Sequence, residues 1–126
     1  MKLNYNAFCG KWRGGKTLNS AKKGAAAERE LQEIFNRRGY DVRRDGTKTF
    51  GRVPDLYNLP GLHLEVKRAE CLSLPAWIEQ SERDAEAFLD GDPVVIFRQS
   101  HQPWRIVLRL EDFLKYYESV HPPALR

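Results

Sequence analysis

The stretch Pro54-Asp55-Leu56-Tyr57-Asn58-Leu59-Pro60-Gly61-Leu62-His63-Leu64-Glu65-Val66-Lys67-Arg68 decides how this chain is read. Pro60-Gly61 is a turn signal, and Leu62 to Arg68 alternates apolar and polar residues as a strand with two unlike faces does. Val53 to Leu59 supplies an extended segment before the turn, so the pair predicts an antiparallel hairpin. Side chains alternate along a strand: Leu62, Leu64 and Val66 share one face, and His63, Glu65 and Lys67 the other. Glu65 and Lys67 then project side by side, roughly 6–7 Å apart along the strand. The hairpin return brings Asp55 toward Glu65. Two converging carboxylates repel unless a cation neutralises them, and an all-oxygen set with several waters suits Mg²⁺ or a similar hard ion. The Lys67 ammonium is placed to orient or deprotonate a water on that ion, or to steady charge developing at phosphorus. Glu-x-Lys on an exposed strand face is otherwise a common solvated pair. The Pro-Asp partner upstream is what turns the balance toward a metal-dependent phosphodiesterase.

Working outward, 126 residues with 41% hydrophobic and 30% charged content make one globular domain, which excludes a disordered or collagen-like chain. No apolar run approaches the ~20 residues of a membrane helix, and the first fifteen residues lack the apolar stretch of a secretory signal. Cys9 and Cys71 are too few for a disulfide framework and lack zinc-ligand spacing, so a cytoplasmic protein with two ordinary thiols is expected. The net charge of +4 is unevenly spread. Residues 1–52 hold 13 Lys/Arg against 5 Asp/Glu, and the remainder holds 8 against 12. A basic half joined to an acidic half fits a polyanion binder with a carboxylate-rich site, and it equally fits a solvated basic tail.

Three regions are expected: a basic arm over 1–20, a domain over 21–119 and a tail over 120–126. The arm carries Lys16 and Trp12, whose ring among cations could stack on a base. A helix from Ser20 or Ala21 to about Arg38 has Ala27, Leu31, Ile34 and Phe35 at helical spacing and Gly39 as its stop. Tyr40 to Arg44 reads as a short strand, and Asp45 to Arg52 as a basic loop bracketed by glycine. Downstream, a helix over Leu74 to Leu89 has Pro75 in its first turn. Val94 to Phe97 is a buried central strand, Trp104 to Leu110 an alternating strand near a dimer surface, and Glu111 to Ser119 a closing helix. Trp77 and Trp104 are expected in the core. The mixture of helices and strands is that of an α/β or α+β sheet domain.

Pro54-Asp55 with Glu65-Val66-Lys67 resembles the signature of the PD-(D/E)xK nuclease superfamily, and the surroundings resemble its Holliday junction resolvase branch, of archaeal and phage type. Lys23-Gly24-Ala25-Ala26-Ala27-Glu28-Arg29 is similar to the helix that opens those enzymes. Gly39-Tyr40-Asp41-Val42-Arg43-Arg44 is similar to their next strand, Gly46 to Arg52 to their basic loop, and Gln80 to a downstream glutamine. The likeness spans roughly residues 22–110. It implies an α/β restriction-endonuclease-like core, a mixed sheet flanked by helices. It further implies Asp55, Glu65 and the Val66 carbonyl as ligands of Mg²⁺ (with Mn²⁺ able to substitute), and Glu28 reaching the ion through water. Lys67 would work on the attacking water, with Gln80 in support.

The implied activity is a magnesium-dependent endodeoxyribonuclease, foremost a resolvase that nicks four-way junctions in pairs as a homodimer, with neither organic cofactor nor membrane involved. Lys16, Lys22, Lys23, Arg29, Arg44, Lys48 and Arg52 are the candidate DNA contacts. Two alternatives stay open: a repair or restriction-type nuclease on duplex DNA, and a non-catalytic DNA-binding module of the same fold. Glu28 flanks the Ala27/Leu31/Ile34 stripe, where it stands either at the rim of a site or in an intrahelical pair. His63 shares the Glu65 face and, as a strand-surface histidine, reads as incidental.

Overall fold

A computed structural model describes residues 19–44 and 54–124, with side chains from residue 24 onward. The basic arm and the Asp45 to Arg52 loop lie outside the described residues. Helix α1 spans Asn19–Arg37, strand β1 Arg43–Arg44, β2 Leu56–Tyr57 and β3 Gly61–Arg68. Helix α2 spans Leu74–Phe88, β4 Gly91–Arg98, β5 Arg105–Val107 and α3 Leu110–Val120. The strands form one mixed sheet in the order β1-β2-β3-β4-β5. β2 pairs antiparallel with β1 and β3, while β3 and β4 run parallel from Gly61↔Gly91 to Arg68↔Arg98. Parallel neighbours need a crossover, which α2 provides.

Helix α1 ends as its sequence demands. Gly39 takes φ +96°, a left-handed conformation that a side chain would resist, and the Tyr40 N–H returns to the Phe35 carbonyl at 3.2 Å. Asn36 Oδ1 then accepts from the Val42 N–H at 3.0 Å, and Gln32 Nε2 donates to the Val42 carbonyl at 3.1 Å, so the helix itself aims the chain into β1. Ala27 and Leu31 of α1 bury against Val42, Leu56, Leu64, Val66, Val94 and Ile96, with Ile34 and Phe35 packed at the margin. Removing each such side chain from water contributes about 1.5–3 kcal/mol.

The second face of the sheet is covered as well. Helix α2 buries Ser81 and Ala85, and Trp77 packs its ring 6.1 Å from that of Phe97. Both faces of β3 are therefore enclosed, and His63 and Glu65 are as buried as Leu64. The alternation of β3 separates two interior surfaces, one apolar under α1 and one charged under α2.

Several sequence expectations need adjusting at their edges. The strand expected from Tyr40 narrows to Arg43–Arg44, and that expected over Val53 to Leu59 narrows to Leu56–Tyr57. The Trp104 to Leu110 strand stops at Val107, because the chain turns there into α3. Trp104 and Leu108 pack on the core while Ile106 and Leu110 are exposed, so the four do not share a face. Cys71 is disulfide-bonded and is not the free thiol expected.

Gly91 opens β4 at φ +155°, pressed against the start of β3. A Cβ there would collide with the Gly61 carbonyl carbon and the Leu62 nitrogen, both backbone atoms that cannot swing away. Gly91→Ala is expected to cost about 2–3 kcal/mol in urea unfolding; a loss below ~0.5 kcal/mol would show that the two strand starts can part freely.

Candidate active site

The turn at Pro60-Gly61 sets the register that builds the site. Leu56 pairs with Leu64 across the antiparallel β2–β3 ladder, which places Asp55 opposite Glu65. Asp55 braces itself on the next strand: its Oδ2 accepts the Val66 N–H at 2.8 Å. Lys67 follows Glu65 on the same face and donates from Nζ to Gln80 Oε1 of α2 at 3.2 Å. The predicted glutamine and lysine are thus brought together, and a neutral partner holds the ammonium without cancelling its charge.

Asp55 feels both burial and the neighbouring acidic charges. Burial is the largest cause raising the Asp55 pKa to about 7; the charge of Glu65 adds to it, the Val66 N–H opposes it, and the weaker effects of Glu28 (raising) and the Lys67 ammonium (lowering) follow. A carboxylate pushed that far is one whose ionised form is strained first by burial and then by neighbouring like charge. Such a group is relieved by a cation.

Glu28 is buried where α1 meets β1, and its Oε2 accepts from Arg44 Nε at 2.9 Å. This partner lies across the fold, on β1. Arg44, a candidate DNA contact, has that guanidinium nitrogen engaged with Glu28. Arg29 is exposed on α1, beside Gln32, Glu33, Asn36 and Arg37, which line an open cavity with it. Lys22 and Lys23 lie on α1 with side chains outside the described residues, and Lys16, Lys48 and Arg52 are outside them altogether.

Beside the expected residues stands a group the sequence reading passed over. His63 is fully buried. Its Nε2 lies 3.2 Å from Glu65 Oε1, and its Nδ1 lies 2.9 and 3.1 Å from the two Asp90 oxygens. Burial alone would lower the His63 pKa, but hydrogen bonds to Glu65 and Asp90 outweigh it and raise the value. Asp84 of α2 completes the group: His63, Glu65 and Asp84 each offer a ligand atom, all within 4.8 Å of one another, a set that could hold a metal ion. The available signal was helical spacing. Asp84 lies one turn beyond Gln80, so a helix that brings one to β3 brings the other.

Among the described residues, the mixed five-stranded sheet and the three helices that flank it make the restriction-endonuclease-like fold. In particular it matches the structure of Hjc, a Holliday junction resolvase from the archaeal hyperthermophile Archaeoglobus fulgidus. The two are 25% identical over 68% of this chain and 72% of that one, with a TM-score of 0.50. No protein-family model and no curated protein matches the sequence.

The Asp55 strain has a sign that can be measured. A carboxyl whose folded pKa is raised binds protons more tightly folded than unfolded, so metal-free stability falls as pH rises from about 4 through about 7. Asp55→Asn keeps an acceptor for the Val66 N–H and removes the charge. Without divalent ions it is expected to exceed the wild type by about 1–3 kcal/mol at pH 8 and to match it near pH 4 in thermal unfolding. A variant no more stable than wild type at pH 8 would mean that neither burial nor the charges of Glu65 and Glu28 penalise the ionised Asp55.

Proposed function

We propose that this chain is a metal-dependent, structure-selective DNA endonuclease that resolves four-way junctions by paired nicks. The observation that carries the reading is the strained carboxylate pair: Asp55 opposite Glu65 on adjoining strands, with the Asp55 pKa raised to about 7 and Lys67 beside it on the same face. Two oxygen donors under mutual repulsion fit a hard divalent ion. Asp55, Glu65 and the Val66 carbonyl would hold Mg²⁺, or Mn²⁺ in its place, with Glu28 reaching it through water. That ion supplies charge neutralisation and a more acidic water. The chain's own residues do the rest. Gln80 fixes the Lys67 ammonium, which orients the water that attacks phosphorus and balances negative charge as the P–O bond to the leaving oxygen breaks. Glu28, held by Arg44, keeps its carboxylate turned to the acidic pair.

The fold likeness to a resolvase supports DNA as the substrate, and the basic half of the sequence supports phosphate contacts that carry no base sequence information. Arg29 is the described candidate for such contact, and Lys16, Lys22, Lys23, Lys48 and Arg52 are proposed with it. Paired nicks need two sites. Helix α3 exposes Leu110, Phe113, Tyr117 and Val120 along one stripe, where a second copy would dock to make the homodimer.

The test uses labelled four-way junction and linear duplex, each with Mg²⁺ or chelator. Symmetric paired nicks confined to the junction, from a protein of twice the chain mass by light scattering, are expected. Asp55→Asn should lower the rate by at least about 10³-fold while DNA stays bound, and binding should weaken steeply with salt. Equal cutting of duplex would replace the resolvase with a repair or restriction-type nuclease. Tight binding with no metal-dependent product would leave a binding module.

A further inference from the structure

We propose that His63, Glu65 and Asp84 form a second metal site, selective for a borderline ion such as Zn²⁺ over Mg²⁺, with Asp90 as the carboxylate that orients the imidazole. The donors come from two elements locked together by packing. His63 and Glu65 stand two residues apart on the α2-facing side of β3, and Asp84 lies on α2 itself. Their ligand atoms all fall within 4.8 Å of one another. His63 Nε2 and Glu65 Oε1, at 3.2 Å, are spaced like two neighbouring ligands of a tetrahedral ion, which sit about 3.3 Å apart when each bond is ~2.0–2.1 Å.

The orientation of the ring is compatible with this assignment. A carboxylate only accepts, so the contacts of 2.9 and 3.1 Å from Asp90 place the hydrogen of Nδ1 on that side. Glu65 likewise only accepts, so the metal-free molecule carries a hydrogen on Nε2 as well, and an ion would displace that proton. A carboxylate on one imidazole nitrogen and the ligand set at the other is the arrangement that fixes metal-binding histidines in the correct tautomer. The site is also enclosed: His63 is fully buried, Glu65 nearly so, and the Phe88 ring lies 6.1 Å from the imidazole. A nitrogen donor separates this set from the all-oxygen one at Asp55, since imidazole suits Zn²⁺ and Mg²⁺ prefers oxygen and water. Glu65 belongs to both, so it would join the two ions. The competing account is a metal-free clamp, in which a doubly protonated His63 bridges Glu65 and Asp90.

The assignment does not depend on the nuclease reading, because it is tested without DNA. Zn²⁺ alone is titrated calorimetrically into the full chain at pH 7, and Co²⁺ is followed by its visible d–d absorption. The wild type is expected to bind one tight equivalent, with Co²⁺ bands of a mixed nitrogen–oxygen site. Asp84→Asn and Asp90→Asn should each weaken Zn²⁺ by about 10–100-fold. Asp55→Asn should leave Zn²⁺ affinity within about threefold while losing Mg²⁺ binding. His63→Gln should abolish the Co²⁺ bands; should that buried substitution fail to fold, the two aspartate variants on and after α2 decide alone. No Zn²⁺ binding by the wild type, or unchanged affinity in both Asp84→Asn and Asp90→Asn, would overturn the site and leave the metal-free clamp.

Discussion

The repulsion between Asp55 and Glu65 is the constraint around which the rest of this molecule is arranged. Nothing in apolar packing favours two desolvated carboxylates on adjoining strands, and the Asp55 pKa, raised to about 7 by burial first and by the Glu65 charge second, records what holding the pair there costs. The fold holds them there regardless. The Val66 N–H bonds Asp55 from the neighbouring strand, the Leu56↔Leu64 register prevents a slip, and the apolar core under α1 anchors both strands. A one-residue shift would turn Glu65 into that core. The strain is thus maintained by packing on the opposite face of the same strands.

The two faces of β3 divide the labour. Leu64 and Val66 contribute stability beneath α1, while His63, Glu65 and Lys67 meet α2 through polar contacts. Helix α2 therefore has two tasks: it connects the parallel strands β3 and β4, and it carries Gln80 and Asp84 to the charged face. Binding and catalytic chemistry on a restriction-endonuclease-like core needs this kind of support, because a side chain a fraction of an ångström out of place loses its function.

Much of this was legible in the sequence because it rests on local rules. The period-two pattern of Leu62 to Arg68, the Pro60-Gly61 turn and the Gly39 stop each act over a few residues, and they yielded β3, its approach to Asp55 and the end of α1. Gln80, singled out by resemblance as a supporting residue, accepts a hydrogen bond from Lys67. What escaped depends on contacts between distant segments. Alternation alone cannot say that α2 covers the polar face, and the group that holds His63 there, Asp90, lies 27 positions away in the chain. Arg44 looked free for phosphate because its partner Glu28 lies 16 residues back, across a helix end. Short edge strands were overdrawn for the same reason: two hydrogen-bonded residues suffice when the helix beside them sets the direction.

A cation shared by Asp55 and Glu65 would relieve the strain on that pair. Anomalous scattering from crystals soaked in Mn²⁺ addresses it directly. The account predicts a peak between the Asp55 and Glu65 carboxylates, in contact with the Val66 carbonyl oxygen. Full Mn²⁺ occupancy elsewhere, with no anomalous density between those two side chains, would contradict it.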